Sequence, residues 1–185
     1  MNVKDAINNR RAYRSLAPVL ITEDLVRDLA ECAQLAPSCF NNQPWRFVFV
    51  YDQNLLKELH TALSKGNEWC RLASMIIAVS SQKEFDCLIR EREYYLFDTG
   101  MATSHIILRA TELGLVAHPI AGYDEEKVKK ILAIPTAMRV ITLLIVGKHS
   151  DEISPLLSEK QVELETRRPE RMPIEKFVFV NRFQP

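Results

Sequence analysis

Between Ala36 and Phe47 the chain reads Ala-Pro-Ser-Cys-Phe-Asn-Asn-Gln-Pro-Trp-Arg-Phe, two prolines bracketing a run rich in hydroxyl and amide side chains. Proline fixes φ and removes a backbone donor, so Pro37 should end the preceding helix and Pro44 should set the entry to an extended segment. An apolar run from Phe47 to Tyr51 follows at once and reads as a strand. Ser38, Asn41, Asn42 and Gln43 therefore lie on a stiff path between a helix and a strand. That composition suits hydrogen bonding to a planar polar ligand, and taken alone it also fits an ordinary helix-to-strand connection.

Hydrophobic periodicity supplies the other elements. Val3 to Arg11 reads as a short helix, with Val3, Ala6 and Ile7 on one face. Thr22 is a suitable N-cap for a helix from Glu23 to about Ala36, whose Leu25, Leu29, Cys32, Ala33 and Ala36 share a face. Gln53 to Leu63 is amphipathic, and Met75–Val79 and Val140–Val146 are continuous apolar runs of buried-strand length. The charged span Ser81 to Arg92 fits loop or helix. Glu93 to Leu113 is the longest helix, apolar nearly all round and so largely buried, with Gly100 and Ala102 small enough to admit a neighbouring helix. Asp124 caps a helix from Glu125 to Leu132, which Pro135 terminates. Beyond His149 the chain turns polar. Arg167 to Pro173 is a basic, extended arm, and Phe177–Val180 is a last strand that needs a sheet to join.

Composition narrows the class. The 185 residues suffice for one domain, 1–185, made of a core (1–150) and a C-terminal arm (151–185). Lys plus Arg and Asp plus Glu number 24 each, a balance that offers no field for nucleic acid or an anionic membrane. No apolar run spans a bilayer, and the N-terminus has no secretory apolar region. Cys32, Cys39, Cys70 and Cys87 form no C-x-x-C pair and have no histidine at metal-ligand spacing. Reduced thiols, a cytoplasmic location and no metal site are the corresponding expectations. Dinucleotide and nucleoside-triphosphate glycine motifs are missing, as is any local Ser-His-Asp or Cys-His set.

The order A-P-S-x-x-N-x-Q-P-W-x-F resembles the signature of the FMN-dependent nitroreductase family, in which this loop lies along the flavin. Other blocks agree in order along nearly the whole chain. Arg10-Arg11-Ala12-Tyr13-Arg14 resembles the segment that grips the FMN phosphate, with Ala12 where the family often has Ser. Without the loop, these cations would simply complement a helix C-terminus. Asp98 to Leu115 resembles the family's dimer-interface helix, and a core helix explains the same pattern. Pro119-Ile120-Ala121-Gly122-Tyr123-Asp124 resembles P-x-x-G-[FY]-D, whose backbone approaches flavin N5, with Ala121 where many relatives carry Glu. A small residue at Gly122 would let main chain lie against a ring. Arg168 and Arg171 both match the C-terminal stretch that returns positive charge to the phosphate.

The resemblance implies an α+β sandwich, helices flanking a mostly antiparallel sheet, with the C-terminal strand exchanged within a homodimer. It implies FMN held by Arg10, Arg11, Arg14, Pro37, Ser38, Cys39, Asn41, Gln43, Pro119, Ile120, Ala121, Gly122 and Arg168 or Arg171. NADH or NADPH would deliver hydride to N5, and a nitroaromatic or quinone-like small molecule would then accept it, in ping-pong order with no protein nucleophile. Cys39 could tune the flavin or merely fill a gap, and His118 could donate a proton or be structural. The alternatives on the same scaffold are an FMN-binding protein without broad reductase activity and a related flavin-dependent dehydrogenase or dehalogenase.

Overall fold

The computed structural model describes residues 1–183. Its centre is a five-stranded sheet in which every pairing is antiparallel. β7 (Arg139–His149) runs through the middle. One edge pairs with β3 (Met75–Ser81) and, at its C-terminal end, with β1 (Leu16–Ala17); the other edge pairs with β6 (Leu115–Ile120). β2 (Arg46–Val50) lies outside β3. β3 is buried at all seven positions, as its continuous apolar run requires.

Alternate residues of these strands feed two cores. On one face Ile76, Ala78, Leu143 and Ile145 pack with Leu56 and Leu59 of α3 (Gln53–His60), Val128 of α5 (Glu125–Leu132) and Trp69 of a 3-10 turn, Glu68–Leu72. On the other face Met75, Ile77, Leu144 and Val146 meet Leu29 and Ala33 of α2 (Glu23–Gln34) and Ala102, Ile106 and Ala110 of α4 (Tyr94–Glu112). The architecture is the expected α+β sandwich with helices on both faces.

Thr22 caps α2, as expected, and Asp124 caps α5. α1 (Val3–Asn9) carries a capping box between Asn2 and Asp5. Ser81–Arg92 resolves into a 3-10 turn at Lys83–Phe85 and a small hairpin of β4 (Leu88–Ile89) and β5 (Arg92–Glu93). Three elements escaped the sequence reading: β1, too short to carry a period, β6, whose run contains Pro119, and α6 (Glu159–Thr166), whose face is mostly polar.

Three expectations are corrected. Phe177–Val180 forms no strand in the single chain among the described residues; a 3-10 turn at Ile174–Lys176 precedes an irregular tail. α4 is not buried all round, since Phe97 is 63% exposed and Gly100 faces open space. Ala102 is the small residue that α2 packs against. The thiols are not all reduced: Cys39 and Cys87 form a disulfide, while Cys32 and Cys70 are free.

Ala133, just past α5, has φ +53°, a left-handed conformation costly for a residue with a Cβ. Ala133→Gly should therefore raise stability by about 0.5–1 kcal/mol, after the entropy glycine adds to the unfolded chain is set against the relieved strain. Urea unfolding checks this, and an unchanged or lower midpoint would show that the strain is absorbed elsewhere.

Candidate functional site

Past Asn9 the chain leaves α1, and Arg10, Arg11, Ala12 and Arg14 line a small cleft with Leu164, Arg168, Pro169 and Arg171. Five guanidinium groups thus converge, and none of the five is in a salt bridge among the described residues. Burial lowers the pKa of Arg10, and the charges of Arg168, Arg171 and Arg11 lower it further. Positive charge held this closely with no carboxylate in ion-pair contact favours an anion between the groups.

α6 holds the cluster in place. Arg11 donates to the carbonyls of Leu164 (3.0 Å) and Glu165 (3.1 Å), so its guanidinium is committed to the helix. The buried Glu165 carboxylate accepts the backbone N–H groups of Arg14 and Ser15, the latter at 2.8 Å. Arg168 donates to the carbonyls of Asn8 and Arg10. Arg10, Arg14 and Arg171 retain the most freedom to bind a ligand.

A chain of contacts leads from here to the turn after β6. Arg14 lies over the Trp69 ring at 5.8 Å, and Trp69 packs on His118 at 4.7 Å between ring centroids. Burial is the main reason the His118 pKa falls to about 4, so the ring is neutral near pH 7. Its Nδ1 lies 3.0 Å from the Tyr13 carbonyl, which makes Nδ1–H the donor. This geometry gives His118 a structural job, joining β6 to the arginine segment.

Pro119 and Ala121 are exposed beyond it, and Ile120 is buried. The Gly122 carbonyl accepts Ser64 N–H at 3.0 Å and Asn67 Nδ2–H at 2.8 Å. A Cβ on Gly122 would stand 2.5 Å from Asn67 Nδ2. A side chain here would have to displace the Asn67 amide from its hydrogen bond, a reason for glycine that the sequence motif did not disclose. Asn67, Trp69 and Glu165 were all missed, since no local pattern marks a residue whose partner lies some fifty or more positions away.

The loop 36–45 sits at the other face of the sheet. Pro44 and Trp45 lead into β2, and Ser81 Oγ–H donates to the Pro44 carbonyl at 2.9 Å. Ser38 Oγ accepts Gln43 N–H at 3.0 Å, and Gln43 Nε2–H donates to the Asn41 carbonyl. Phe40, Asn41 and Gln43 have φ of 49°, 58° and 49°, so a 3-10 turn at Cys39–Asn41 bends through left-handed backbone. Such residues persist only where their surroundings fix them. Here the fixings are Asp98 of α4, which accepts Cys39 N–H at 2.7 Å, and the disulfide to Cys87.

The expected site residues therefore fall into two groups. Arg10, Arg11, Arg14, Arg168, Arg171 and the turn Pro119–Gly122 are linked through Trp69 and His118. Pro37, Ser38, Cys39, Asn41 and Gln43 share the loop that Asp98 of α4 holds at Cys39. Among the described residues no hydrogen bond joins the groups, and Trp69 and Trp45 belong to cores on opposite sheet faces.

Apolar surface is exposed around the second group: Phe40 at 85%, Phe97 at 63% and Leu35 at 80%. The C-terminal segment adds Ile174, Phe177, Val180 and Phe183, all exposed. Among the described residues no helix is long and apolar enough to cross a membrane.

Fold and cleft together describe an α+β protein with a cluster of arginines linked through Trp69 and His118 to a glycine turn. The family model "Nitroreductase family" matches residues 7–69 and 65–148, and the chain belongs to that family, a family of oxidoreductases. A Thermus thermophilus protein named NADH dehydrogenase is 25% identical over 186 residues, 84% of this chain and 90% of the relative. A solved structure described as an oxidoreductase containing FMN superposes with a TM-score of 0.83 at 27% identity, covering 100% of this chain and 94% of that one. A nitroreductase family protein from Clostridium novyi NT gives 0.76 at 28%, covering 82% and 87%.

Gly122→Ala should destabilise the protein by about 1–2 kcal/mol by displacing the Asn67 amide. In an Asn67→Ala background the same change should cost much less, and additive costs in urea unfolding would contradict the contact. The lowered His118 pKa means that the unfolded chain binds a proton between about pH 6.5 and about 4 that the folded chain does not. Stability should fall by on the order of 3 kcal/mol as pH drops through that window, and His118→Asn should remove this part of the acid loss. An unchanged acid slope in the variant would be the contrary result.

Proposed function

We propose that this chain is an FMN-dependent NAD(P)H oxidoreductase acting as a homodimer, with a small nitroaromatic or quinone-like molecule as electron acceptor. The observation that carries the reading is the unpaired arginine cleft connected, through Trp69 and His118, to the exposed turn at Pro119–Gly122. A phosphate dianion fits the cleft, since it would relieve the mutual repulsion of Arg10, Arg168 and Arg171. A metal cation would not meet complementary charge there. FMN bound at this place would accept hydride from NADH or NADPH at N5 and pass it to the acceptor in a separate, ping-pong half-reaction. The relatives named NADH dehydrogenase and FMN-containing oxidoreductase support the same chemistry.

The chain's own residues would bind and orient. Arg10, Arg14 and Arg171 hold the phosphate, with Arg168 and Arg11 buttressing them. Pro119 to Gly122 offers backbone to the ring edge. Because Pro37–Gln43 is separated from that group by the sheet, these residues serve the FMN held mainly by a second copy. The exposed apolar surface on α4, on the 3-10 turn and in the arm 151–183 is the natural contact for that copy. The exchange of the C-terminal arm, the division into core and arm of one domain, and a cytoplasmic setting belong to this same proposal.

Flavin fluorescence titration provides the test. FMN should bind far more tightly than riboflavin, and Arg10→Ala with Arg14→Ala should weaken FMN by roughly 100-fold while leaving riboflavin nearly unaffected. Equal affinity for the two flavins in the unmodified protein would remove the phosphate assignment. Anaerobic bleaching of bound flavin by NADH or NADPH separates a reductase from a protein that only binds FMN.

A further inference from the structure

Outside the arginine cleft, one cluster of side chains has unusual electrostatics. Cys39 and Cys87 are 48 positions apart and their sulfurs are bonded, with both residues only partly buried. The donor atoms of Cys39, Asp86 and Cys87 all lie within 4.8 Å of one another. Asp86 Oδ1 accepts the Cys87 N–H at 2.8 Å, while Asp86 Oδ2 is buried with no partner. The Asp86 carboxyl also meets that of Asp98, which is 2% exposed. No lysine, arginine or histidine pairs with either carboxyl among the described residues. Two adjacent carboxylates without a cation repel, and a proton taken up between them relieves that repulsion. Burial raises the pKa of Asp98, and Asp86 raises it further against the lowering effect of the Cys39 N–H. Two carboxyl groups thus flank a disulfide between two partly exposed cysteines. Asn42 Nδ2–H points at Cys87 Sγ at 3.5 Å and at Asp86 Oδ1 at 3.3 Å.

We propose that Cys39–Cys87 is a thiol–disulfide exchange site, reduced by a small dithiol or dithiol protein, with the Asp86–Asp98 pair supplying the proton to the leaving sulfur. A substrate thiolate attacks Cys39 Sγ, the S–S bond breaks, and its electron pair leaves on Cys87 Sγ. That sulfur is the one facing the Asn42 amide, and it takes the shared proton from the carboxyl pair. The second thiolate of the reductant then attacks its own sulfur in the mixed disulfide. This releases the Cys39 thiolate, which is protonated from solvent, and the dithiol leaves as a disulfide. Two electrons pass from dithiol to protein, and solvent returns a proton to the carboxyl pair. Partly exposed cysteines, an adjacent carboxyl pair and an amide donor suit exchange, whereas a purely structural staple needs neither the acid nor the amide. Opening the bond also frees Cys39 in the loop whose Phe40, Asn41 and Gln43 are held in left-handed backbone.

The test is the rate of reduction by dithiothreitol, with alkylation in denaturant and intact mass as readout. A Cys32→Ser, Cys70→Ser background leaves only the pair of interest. Air-equilibrated protein should take up no alkylating agent, and reduced protein should take up two equivalents. Asp86→Asn should still form the disulfide but should be reduced more slowly, by about tenfold or more. If the carboxylate acts only as a charge or a brace, removing it speeds or does not alter attack by an anionic thiolate. An equal or faster rate in Asp86→Asn therefore overturns the proposal, and so do two free thiols in the air-equilibrated protein. Should Asp98→Asn fail to fold, the partly exposed Asp86 decides alone.

Discussion

β7 is hydrogen-bonded along both edges, to β3 and β1 on one side and to β6 on the other. Its alternate side chains build both cores, Leu143 and Ile145 on one face and Leu144 and Val146 on the other. The period of two along this strand sorts the remaining elements into layers. α3 and α5 cover one face, and α2 and α4 cover the other. The same strand places Leu16 beside His149, and so delivers Arg10–Arg14 to the sheet end where Arg168 and Arg171 return. Glu165 then closes the corner by capping the backbone of Arg14 and Ser15 from 150 or so positions away.

A wall built this way has a functional cost and a functional use. It keeps the arginine cleft and the loop 36–45 of one chain apart, although both carry the polar groups expected of a single ligand site. Burying the apolar residues left bare on α4 and in the C-terminal segment requires another surface, and a second copy would bring its own loop with it. Symmetry would make both deficits disappear at once. The disulfide and Asp98 matter here because they fix the loop before any partner arrives, so less ordering is needed on assembly.

Much of the fold was legible in the sequence because the signals were local. The apolar runs Met75–Val79 and Val140–Val146 gave the two central strands to within a few residues, and Thr22 and Asp124 marked helix starts by a capping chemistry that acts over three positions. The Arg10–Arg14 and Arg168/Arg171 groups were legible as cations, and the structure brings them to one cleft. What failed was long-range. Cys39 and Cys87 pair because a loop and a hairpin fold over the same end of α4, and no spacing rule links positions 39 and 87. Gly122 also meets Asn67, a contact 55 positions away that the local motif could not show. Phe177–Val180 has the composition of a strand but pairs with no strand of its own chain among the described residues. Sequence pattern states what a segment would prefer, and the partner decides whether it can.

The central claim is that one binding site draws on two chains, and subunit complementation tests it most directly. One chain would carry Arg10→Ala and Arg14→Ala, and the other Asn41→Ala and Gln43→Ala, with different affinity tags so that mixed dimers can be isolated. Each parent alone should retain little flavin. The account predicts about one FMN per mixed dimer, because the intact arginine cleft of one chain meets the intact loop of the other. Mixed dimers that hold no more flavin than their parents would mean that cleft and loop act within a single chain, and the two-chain site would have to be given up.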